Sequence, residues 1–264
     1  MRIALGIEYD GRAYKGWQRQ RHDVRTVQAE LEAALSRVAA HPVRVVCAGR
    51  TDTGVHAVGQ VVHFDTEAVR SPRNWVLGAN VNLPDDIAVS WAQPIDDDFH
   101  ARYAAESRSY RYLILNRPTR SSLLAGRATW IHRPLDASLM HGAGQCLIGT
   151  HDFSSYRAIG CQAKSPVRTL HSLVVRRDGE LIDLRVHANA FLHHMIRNIA
   201  GVLMSIGRGE REPGWAAEVL AYRDRTLGGV TAPPDGLYFE QVWYPRRFAV
   251  PTPPPVPLAL VSPS

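Results

Sequence analysis

The sequence predicts an α+β fold built from two similar halves. Segments with apolar residues at every second position, typical of strands, recur along the 264 residues, and segments of helical periodicity interrupt them in the same order twice. With 45% apolar and 21% charged residues, the chain has enough apolar side chains for one large core or two smaller ones. Each half has the predicted order βαββαβ, the ferredoxin-like (RRM-like) arrangement with two helices on one face of an antiparallel sheet.

In the first half, residues 1–100, alternation and capping residues predict the elements. Ile3 to Tyr9 alternates as a strand, and Thr26 is a suitable N-cap for the helix that follows. The apolar face of that helix consists of Val27, Leu31, Leu35 and Val38. The remaining predicted elements are strands over 43–47 and 58–64, a helix from Ser71-Pro72 to about Ala79, and a strand over 87–92.

The second half, residues 101–250, repeats the order with longer insertions. Its first strand, 108–115, places Tyr110, Tyr112 and Ile114 on one face. The later predicted elements are a helix over 136–148, strands over 167–177 and 180–187 joined by an Asp178-Gly179 turn, helices over 190–207 and 213–222, and a strand over 237–244. If the antiparallel sheets of the halves join, a central cleft lies on the side without helices. The Pro-rich tail, 251–264, is predicted to be extended and outside the core.

Arginine dominates the basic residues. Of the 31 lysines and arginines only Lys15 and Lys164 are lysine, and the net charge is +6. A guanidinium binds phosphate through two parallel hydrogen bonds and stacks on bases, so this bias favours a nucleic-acid partner. A GC-rich genome that encodes arginine in place of lysine explains the bias equally well.

The cysteines and the N-terminal residues indicate a soluble, cytoplasmic protein. Cys47, Cys146 and Cys161 are odd in number and widely spaced, so neither a disulfide framework nor a paired metal knuckle is predicted. Strand-like alternation follows Met1 almost at once, without the basic and apolar regions of a signal peptide. No apolar run approaches the length of a membrane span.

The most informative local pattern is the run from Cys47 to Ala57, in which Asp52 follows Arg50 by two positions. Gly49 and Gly54 allow sharp bends between two strand-like segments. The spacing predicts a carboxylate that is kept ionised for chemistry. The alternative is a common turn aspartate that hydrogen-bonds its own backbone.

Several long motifs, in the same order along the chain, resemble those of one enzyme family. Besides the run from 47 to 56, they are Gly6–Gly11, Gly16–Gln20, Gly59–Phe64, Asp98–Arg102, Tyr110–Tyr112 and Asn189–Asn198. Together they span Ile3 to about Tyr244 and closely resemble the tRNA pseudouridine synthase A (TruA) family. Thr53 and Phe239 are small departures, since the family commonly has Ala and Leu at these positions.

The resemblance implies an isomerase that converts uridine to pseudouridine at positions 38, 39 and 40 of the tRNA anticodon stem-loop. It implies two ferredoxin-like halves around a central RNA-binding cleft, a homodimer in which one tRNA contacts both subunits, and neither a metal nor an organic cofactor. By their positions in the motifs, Asp52 is the catalytic aspartate, Arg50 is the arginine paired with it, and Tyr110 is the active-site tyrosine.

These residue types suit the reaction. A carboxylate such as Asp52 can attack the sugar carbon or C6 of uracil, or carry a proton in an elimination. A nearby Arg50 favours the ionised carboxylate, and its planar cation can also fill the space that an extruded base leaves in the stem. Tyr110 offers a ring that stacks on the flipped uracil and a hydroxyl for proton transfer, and we expect stacking to be its first role.

Six further residues are predicted to bind the RNA: Arg19, His56, Arg102, His194, Arg197 and Leu237. Arg19 lies close to Trp17 in a segment with two further arginines, Arg21 and Arg25, which suits a phosphate track beside a stacking surface. An ordinary exposed loop is the alternative for Arg21 and Arg25. Leu237 belongs to a segment that resembles one approaching the base in the family.

The predicted helix over 190–207 carries polar residues on the face opposite its apolar stripe. They are His193, His194, Arg197 and Asn198, and they either line the RNA cleft or are solvated. His56 and His63 invite a metal interpretation, but no set of Cys, Asp or Glu accompanies them at the usual ligand spacing, so no metal site is predicted.

Two other functions fit parts of the pattern. A non-catalytic RNA-binding protein or tRNA chaperone would use the same RRM-like halves, but no strand carries the aromatic RRM signature, and Arg50, Asp52 and Tyr110 would have no task. An RNA N-glycosidase would also attack the sugar carbon, but such enzymes commonly use two carboxylates and this loop contains one.

Overall fold

The computed structural model describes residues 1–20 and 24–253. They form two compact units: the first contains Met1–Glu106 and residues 238–253, and the second contains Ser107–Leu237. The predicted halves, 1–100 and 101–250, differ from these units chiefly in the last strand, and they stay a prediction. Arg21 and the predicted tail after Pro253 lie outside the described residues.

The described residues form an α+β structure of ten strands and five α-helices. The strands are β1 (Arg2–Tyr9), β2 (Val46–Cys47), β3 (His56–Asp65), β4 (Ile87–Ile95), β5 (Ser107–Asn116), β6 (Thr129–Ile131), β7 (Gly149–Asp152), β8 (Val167–Asp178), β9 (Leu181–Ala188) and β10 (Leu237–Trp243). The helices are α1 (Val27–Ala39), α2 (Pro72–Asn82), α3 (Ala137–Gly144), α4 (Met195–Gly207) and α5 (Trp215–Tyr222). Most of the strand pairs are antiparallel, so the predicted α+β class is confirmed.

In the first unit, β1 lies between β3 and β4 and is antiparallel to both. The other edge of β3 pairs with the short β2 and, at its beginning, with β10 in parallel. Leu5 of β1 faces Val62 across one pair and Ala92 across the other, and it is fully buried. The ring of Phe64 meets Trp75 of α2 edge to face, with centroids 5.1 Å apart, so α2 covers the apolar side of this sheet.

In the second unit, β9 lies between β5 and β8, and β7 continues the antiparallel sheet beyond β8. The short β6 pairs with β5 in parallel. Gly179 has a φ of +56° in the turn between β8 and β9, which confirms the predicted Asp178-Gly179 hairpin. Helix α3 packs against both α4 and β8, and the buried side chains include Met140, Ile199 and Leu203.

The helix caps were predicted well and the element limits less well. Thr26 and Ser71 are N-caps whose side chains accept amide N–H groups of the first turn, as predicted. Residues 43–45 are not a strand, however, and β3 begins at His56 rather than at 58. The predictions missed β6 and β7. None of the helices in the described ranges is long and apolar enough to cross a membrane.

Candidate active site

Asp52 lies in the loop that joins β2 to β3 in the first unit. Thr51 is buried, Asp52 is half-buried and Thr53 is exposed. The amide of Val55 donates to the carbonyl of Asp52 at 3.1 Å, which closes a tight turn, and Gly54 has a φ of +80°. The sharp bend predicted at Gly54 is therefore present. Glycine suits this position because a residue with a side chain would be strained at that φ.

The segment after β1 holds this loop at Thr51. The amide of Trp17 donates to the carbonyl of Thr51 at 3.0 Å, and the hydroxyls of Tyr9 and Thr51 lie 2.7 Å apart in a buried hydrogen bond. Gly16 has a φ of +86°, and a Cβ added to it would lie 2.8 Å from the carbonyl oxygen of Thr51. The residue before Asp52 is thus fixed through its backbone and its side chain, and only glycine fits at position 16.

Gln60 of β3 holds the other side of the loop. Its side chain is fully buried, its Nε2 donates to the carbonyl of Gly49 at 2.7 Å, and its Oε1 lies 3.4 Å from the amide of Gly49. A Cβ on Gly49 would lie 2.9 Å from the ring of Phe239. The glycine is required here by that close contact. Sequence reasoning missed Gln60, although a polar residue within an apolar strand of a matched motif was a usable signal.

Arg50 and Arg102 both lie close to Cys47. Burial raises the pKa of the Cys47 thiol to about 12, and the positive charges of Arg50 and Arg102 act in the opposite direction. Both arginines are exposed, and Arg50 belongs to the loop that carries Asp52. Arg50 lies two residues before Asp52 on this loop, and its predicted pairing with the carboxylate stays a prediction.

His56 is buried at the start of β3. Its Nδ1 accepts the amide N–H of Gly11 at 3.1 Å and lies 3.3 Å from a carboxylate oxygen of Asp10. Its ring stacks on that of Tyr238 with centroids 4.6 Å apart. Through these contacts His56 joins the start of β3 to the segment after β1 and to β10. Its predicted contact with RNA stays a prediction.

Arg19 and Arg25, the described arginines of the predicted phosphate track, differ in availability. Arg25 lies over the ring of Tyr14 and forms a two-point ion pair with Asp86 at 2.8 and 3.0 Å. Its fork is therefore occupied by the protein. Arg19 keeps most of its side chain exposed and lies 3.5 Å from an oxygen of Glu32. Of the two, Arg19 is the better candidate for a phosphate contact.

Tyr110 is positioned by a strand in the second unit. It stands opposite Val186 in the pairing of β5 with β9, and its side chain is 9% exposed. Its ring meets Phe191 edge to face, with centroids 5.1 Å apart. A mostly buried ring packed against Phe191 is compatible with the predicted stacking role, which stays a prediction.

The predicted helix over 190–207 begins later than expected. Residues 191–194 are not helical: His194 has a φ of +60°, and α4 starts at Met195. His193 and His194 therefore lie in the turn before α4, with their rings 4.0 Å apart. Periodicity misplaced the start because the apolar spacing continues into the turn.

The polar face predicted for this helix is only partly present. Asn198 is 1% exposed and donates to the carbonyl of Tyr156 at 2.8 Å, so its placement on a solvated or RNA-facing side was wrong. Its other contacts, with Arg225 and Thr231, satisfy the carbonyl of its amide in the core.

Arg197 and Leu237 are both tied to the loop before β10. The Nε of Arg197 donates to the carbonyl of Ala232 at 2.7 Å. Leu237 is 5% exposed, and its amide donates to the carbonyl of Pro234 at 3.0 Å. Gly236 beside it has a φ of +84°, and its carbonyl accepts the amide N–H of Leu113 at 2.8 Å. The RNA contacts predicted for Arg197 and Leu237 stay predictions.

Comparison with known proteins places the chain in a well-populated group. A family model described as tRNA pseudouridine synthase matches residues 6–104 and 143–245. The tRNA pseudouridine synthase A of Alcanivorax borkumensis is 57% identical over 259 residues, which cover 98% of this chain and 97% of that protein. The proteins of the same name from Methylococcus capsulatus and Pseudomonas aeruginosa are 58% and 59% identical over 250 residues, covering 95% of this chain and 92% and 88% of theirs.

One solved structure with a low structural similarity was also found. The crystal structure of a Cbf5-Nop10-Gar1 complex covers 76% of this chain and 45% of its own, with 12% identity and a TM-score of 0.34. At that score the likeness carries no argument about this fold.

Proposed function

This chain belongs to the tRNA pseudouridine synthase family, and from that premise we propose that it isomerises uridine to pseudouridine in tRNA, at positions 38, 39 and 40 of the anticodon stem-loop. The observation that supports this most directly is the Asp52 loop. Hydrogen bonds hold the loop at Gly49 and at Thr51, while Asp52 is half-buried and Arg50 is exposed.

The reaction is a balanced rearrangement. The bond from N1 of uracil to the sugar carbon breaks, the base turns, and a bond forms from C5 to the same carbon. The proton lost from C5 is matched by the proton gained at N1, so no oxidant, reductant or second substrate is consumed. The protein must extrude the base, hold it while it turns, and move one proton.

We assign three residues to these tasks. Asp52 attacks the sugar carbon, attacks C6 or carries the proton, and each of these needs an ionised carboxylate. Tyr110 stacks on the flipped uracil first and transfers a proton second. Arg50, exposed on the Asp52 loop, occupies the space of the extruded base or contacts a phosphate.

The finer architecture belongs to the same proposal. In the first unit the element order β1, α1, β2, β3, α2, β4 and the sheet order β4-β1-β3-β2 support a ferredoxin-like half. In the second, β5, α3, β8, β9 and α4 follow one another in the same sense. We propose two such halves, with the RNA-binding cleft predicted from the sequence.

We further propose that the protein acts in the cytoplasm as a homodimer, as the family resemblance implies. Light scattering of the purified protein across a dilution series checks the assembly. A mass equal to the 29.3 kDa of one chain at every concentration would contradict the dimer.

The central test uses unmodified tRNA with no added metal or nucleotide. Wild-type protein should form pseudouridine at positions 38 to 40, and Asp52→Asn should form none while still binding tRNA. Asp85→Asn, the same change at an exposed site of the first unit, is the control and should keep full activity. Release of free uracil would indicate an N-glycosidase instead. Binding without any conversion by the wild type would indicate the chaperone.

A further inference from the structure

A buried carboxylate in the first unit holds two exposed arginines side by side. Glu32 of α1 is 3% exposed, and four groups surround its two oxygens. They are Nη1 of Arg44 at 2.9 Å, Nε2 of Gln28 at 2.9 Å, the amide of Val45 at 3.2 Å and Nη1 of Arg19 at 3.5 Å. Because a buried charge is costly unless it is paired, these contacts explain how Glu32 is tolerated in the interior.

The heads of both arginines face solvent. The side chain of Arg19 is 54% exposed and that of Arg44 is 73% exposed. Each guanidinium contacts Glu32 through a single nitrogen, and within the described ranges neither makes another side-chain hydrogen bond. A guanidinium carries several N–H donors in a planar fork, so most of the donors on each head are available to a partner.

This pair is connected to the Asp52 loop. Arg19 follows Trp17 by two positions, and the amide of Trp17 donates to the carbonyl of Thr51. The Oε1 of Gln28 accepts the backbone amide of Arg19 at 3.0 Å, so one side chain orients both Glu32 and the segment that carries Arg19. Arg44 lies two residues before β2, the strand that enters the loop. The pair and the Asp52 loop are therefore supported by the same two segments, the one around Trp17 and the one that leads into β2.

We propose that Glu32 presents Arg19 and Arg44 as a two-arginine clamp for a phosphate of the tRNA backbone. One buried negative charge and two positive charges leave a site with a net positive charge. The oxygens of one phosphate group would accept hydrogen bonds from both guanidinium groups. The inference rests on the proposed function for its partner. Arg44 stands outside every motif that carries the family resemblance, so the resemblance assigns it no role.

The test compares two substitutions of arginine near the same helix. Arg44→Ala should weaken tRNA binding on the order of fivefold at moderate salt. The magnitude of the slope of log K against log salt concentration should fall by about one, because one phosphate contact is lost. Arg37→Ala is the matched control: Arg37 is an exposed arginine of α1 whose Nη1 lies 3.4 Å from Asn82, and its loss should change neither quantity. At saturating tRNA, kcat of Arg37→Ala should equal that of the wild type.

A double-mutant cycle tests whether the clamp is shared. If Arg19 and Arg44 hold one phosphate, Arg19→Ala with Arg44→Ala should weaken binding less than the product of the two single effects. Strictly multiplicative effects would contradict a shared phosphate. Equal tRNA affinities of Arg44→Ala and Arg37→Ala would overturn the proposal. It would also be overturned if Arg44→Ala bound inorganic phosphate more weakly than the wild type but bound tRNA equally well.

These outcomes are separable from failure of the proposed function. Wild-type protein that binds tRNA without forming pseudouridine would refute the function, while the comparison of Arg44 with Arg37 would still decide the clamp. Normal pseudouridine formation together with identical salt slopes for both variants would refute the clamp alone.

Discussion

The loop that carries Asp52 and the strand that carries Tyr110 are held in different ways. Asp52 lies in an irregular connection that depends on hydrogen bonds from Tyr9, Trp17 and Gln60, none of which is a close neighbour in sequence. Tyr110 is positioned by the register of β5 against β9, where every neighbouring residue of the strand contributes. The loop therefore depends on a few specific contacts, and the strand on a repeated pattern.

This difference predicts where the protein is sensitive to substitution. A change distant from Asp52 that removes one support should alter the loop and the turnover. A comparable change in the second unit should affect stability with little effect on turnover, because the strand register has many contributors.

The largest effect is expected at Gly11. A Cβ there would lie 2.0 Å from the carbonyl oxygen of Val55 in the Asp52 loop, so Gly11→Ala should cost about 3 kcal/mol and abolish most turnover. Gly142→Ala, in an exposed part of α3 with no atom within 4 Å of the added Cβ, should instead raise stability by about 0.5–1 kcal/mol. Urea unfolding and turnover of both variants check this. Equal effects of the two substitutions would contradict the idea that the Asp52 loop depends on a few specific contacts.

Tyr110→Phe should change the chemistry without disturbing the strand. The ring keeps its contact with Phe191, so stability and tRNA affinity should be close to wild type. Loss of a hydroxyl that transfers a proton should lower kcat by about a hundredfold. Single-turnover kinetics separates kcat from binding. Full turnover of Tyr110→Phe would exclude the hydroxyl from proton transfer and restrict Tyr110 to stacking.

Two buried tyrosine hydroxyls offer a matched pair. Tyr9 bonds Thr51 at 2.7 Å beside Asp52, and Tyr112 bonds Thr129 at 2.6 Å in the second unit. Replacing Tyr9 by Phe should cost about 1–2 kcal/mol of stability, since it leaves a buried threonine hydroxyl without that partner. Tyr112→Phe should cost at least as much, because its hydroxyl also donates to the carbonyl of Pro233 at 2.9 Å. Only Tyr9→Phe should also lower turnover, by about tenfold, as the loop loosens. Similar turnover in both variants would show that the loop does not need this bond.

The smallest effect is expected from mild acid. Burial lowers the pKa of His63 from 6.5 to about 4. The nearby Arg2 and His100 also lower this pKa, whereas Asp65 raises it. The Nδ1 of His63 accepts the amide N–H of Ala101. The unfolded chain takes up the proton first, so this stability is complete above pH 6.5 and is lost as the pH falls towards about 4. We expect the first unit to lose about 1–2 kcal/mol between pH 7.5 and 5.

Hydrogen exchange followed at both pH values would locate that loss. In the second unit burial also lowers the pKa of His187, but its partner is the hydroxyl of Ser107, which can donate as well as accept. Amides around β3 should therefore lose more protection than those around β5. His63→Asn should reduce the acid effect, and an unchanged pH dependence in that variant would exclude His63 as its source.

Much of the fold was predictable because its signals are local. The caps at Thr26 and Ser71, the alternation of β1 and β5 and the Asp178-Gly179 turn depend on residues within a few positions of one another. The errors occurred where local pattern and tertiary contact disagree. Asn198 has a polar side chain on a helix and was expected at the surface, but it satisfies the carbonyl of Tyr156 in the core.

Residue types at short spacing suffice to predict the α+β class, the family and the position of the Asp52 motif. Contacts between distant segments settle the rest: what holds Asp52, which arginine heads are occupied, and that Glu32 is the buried partner of Arg19 and Arg44. Tyr9 and Thr51 are 42 positions apart, and no periodicity within either segment predicts their hydrogen bond. Such contacts exist only once the chain has folded and buried both groups away from water.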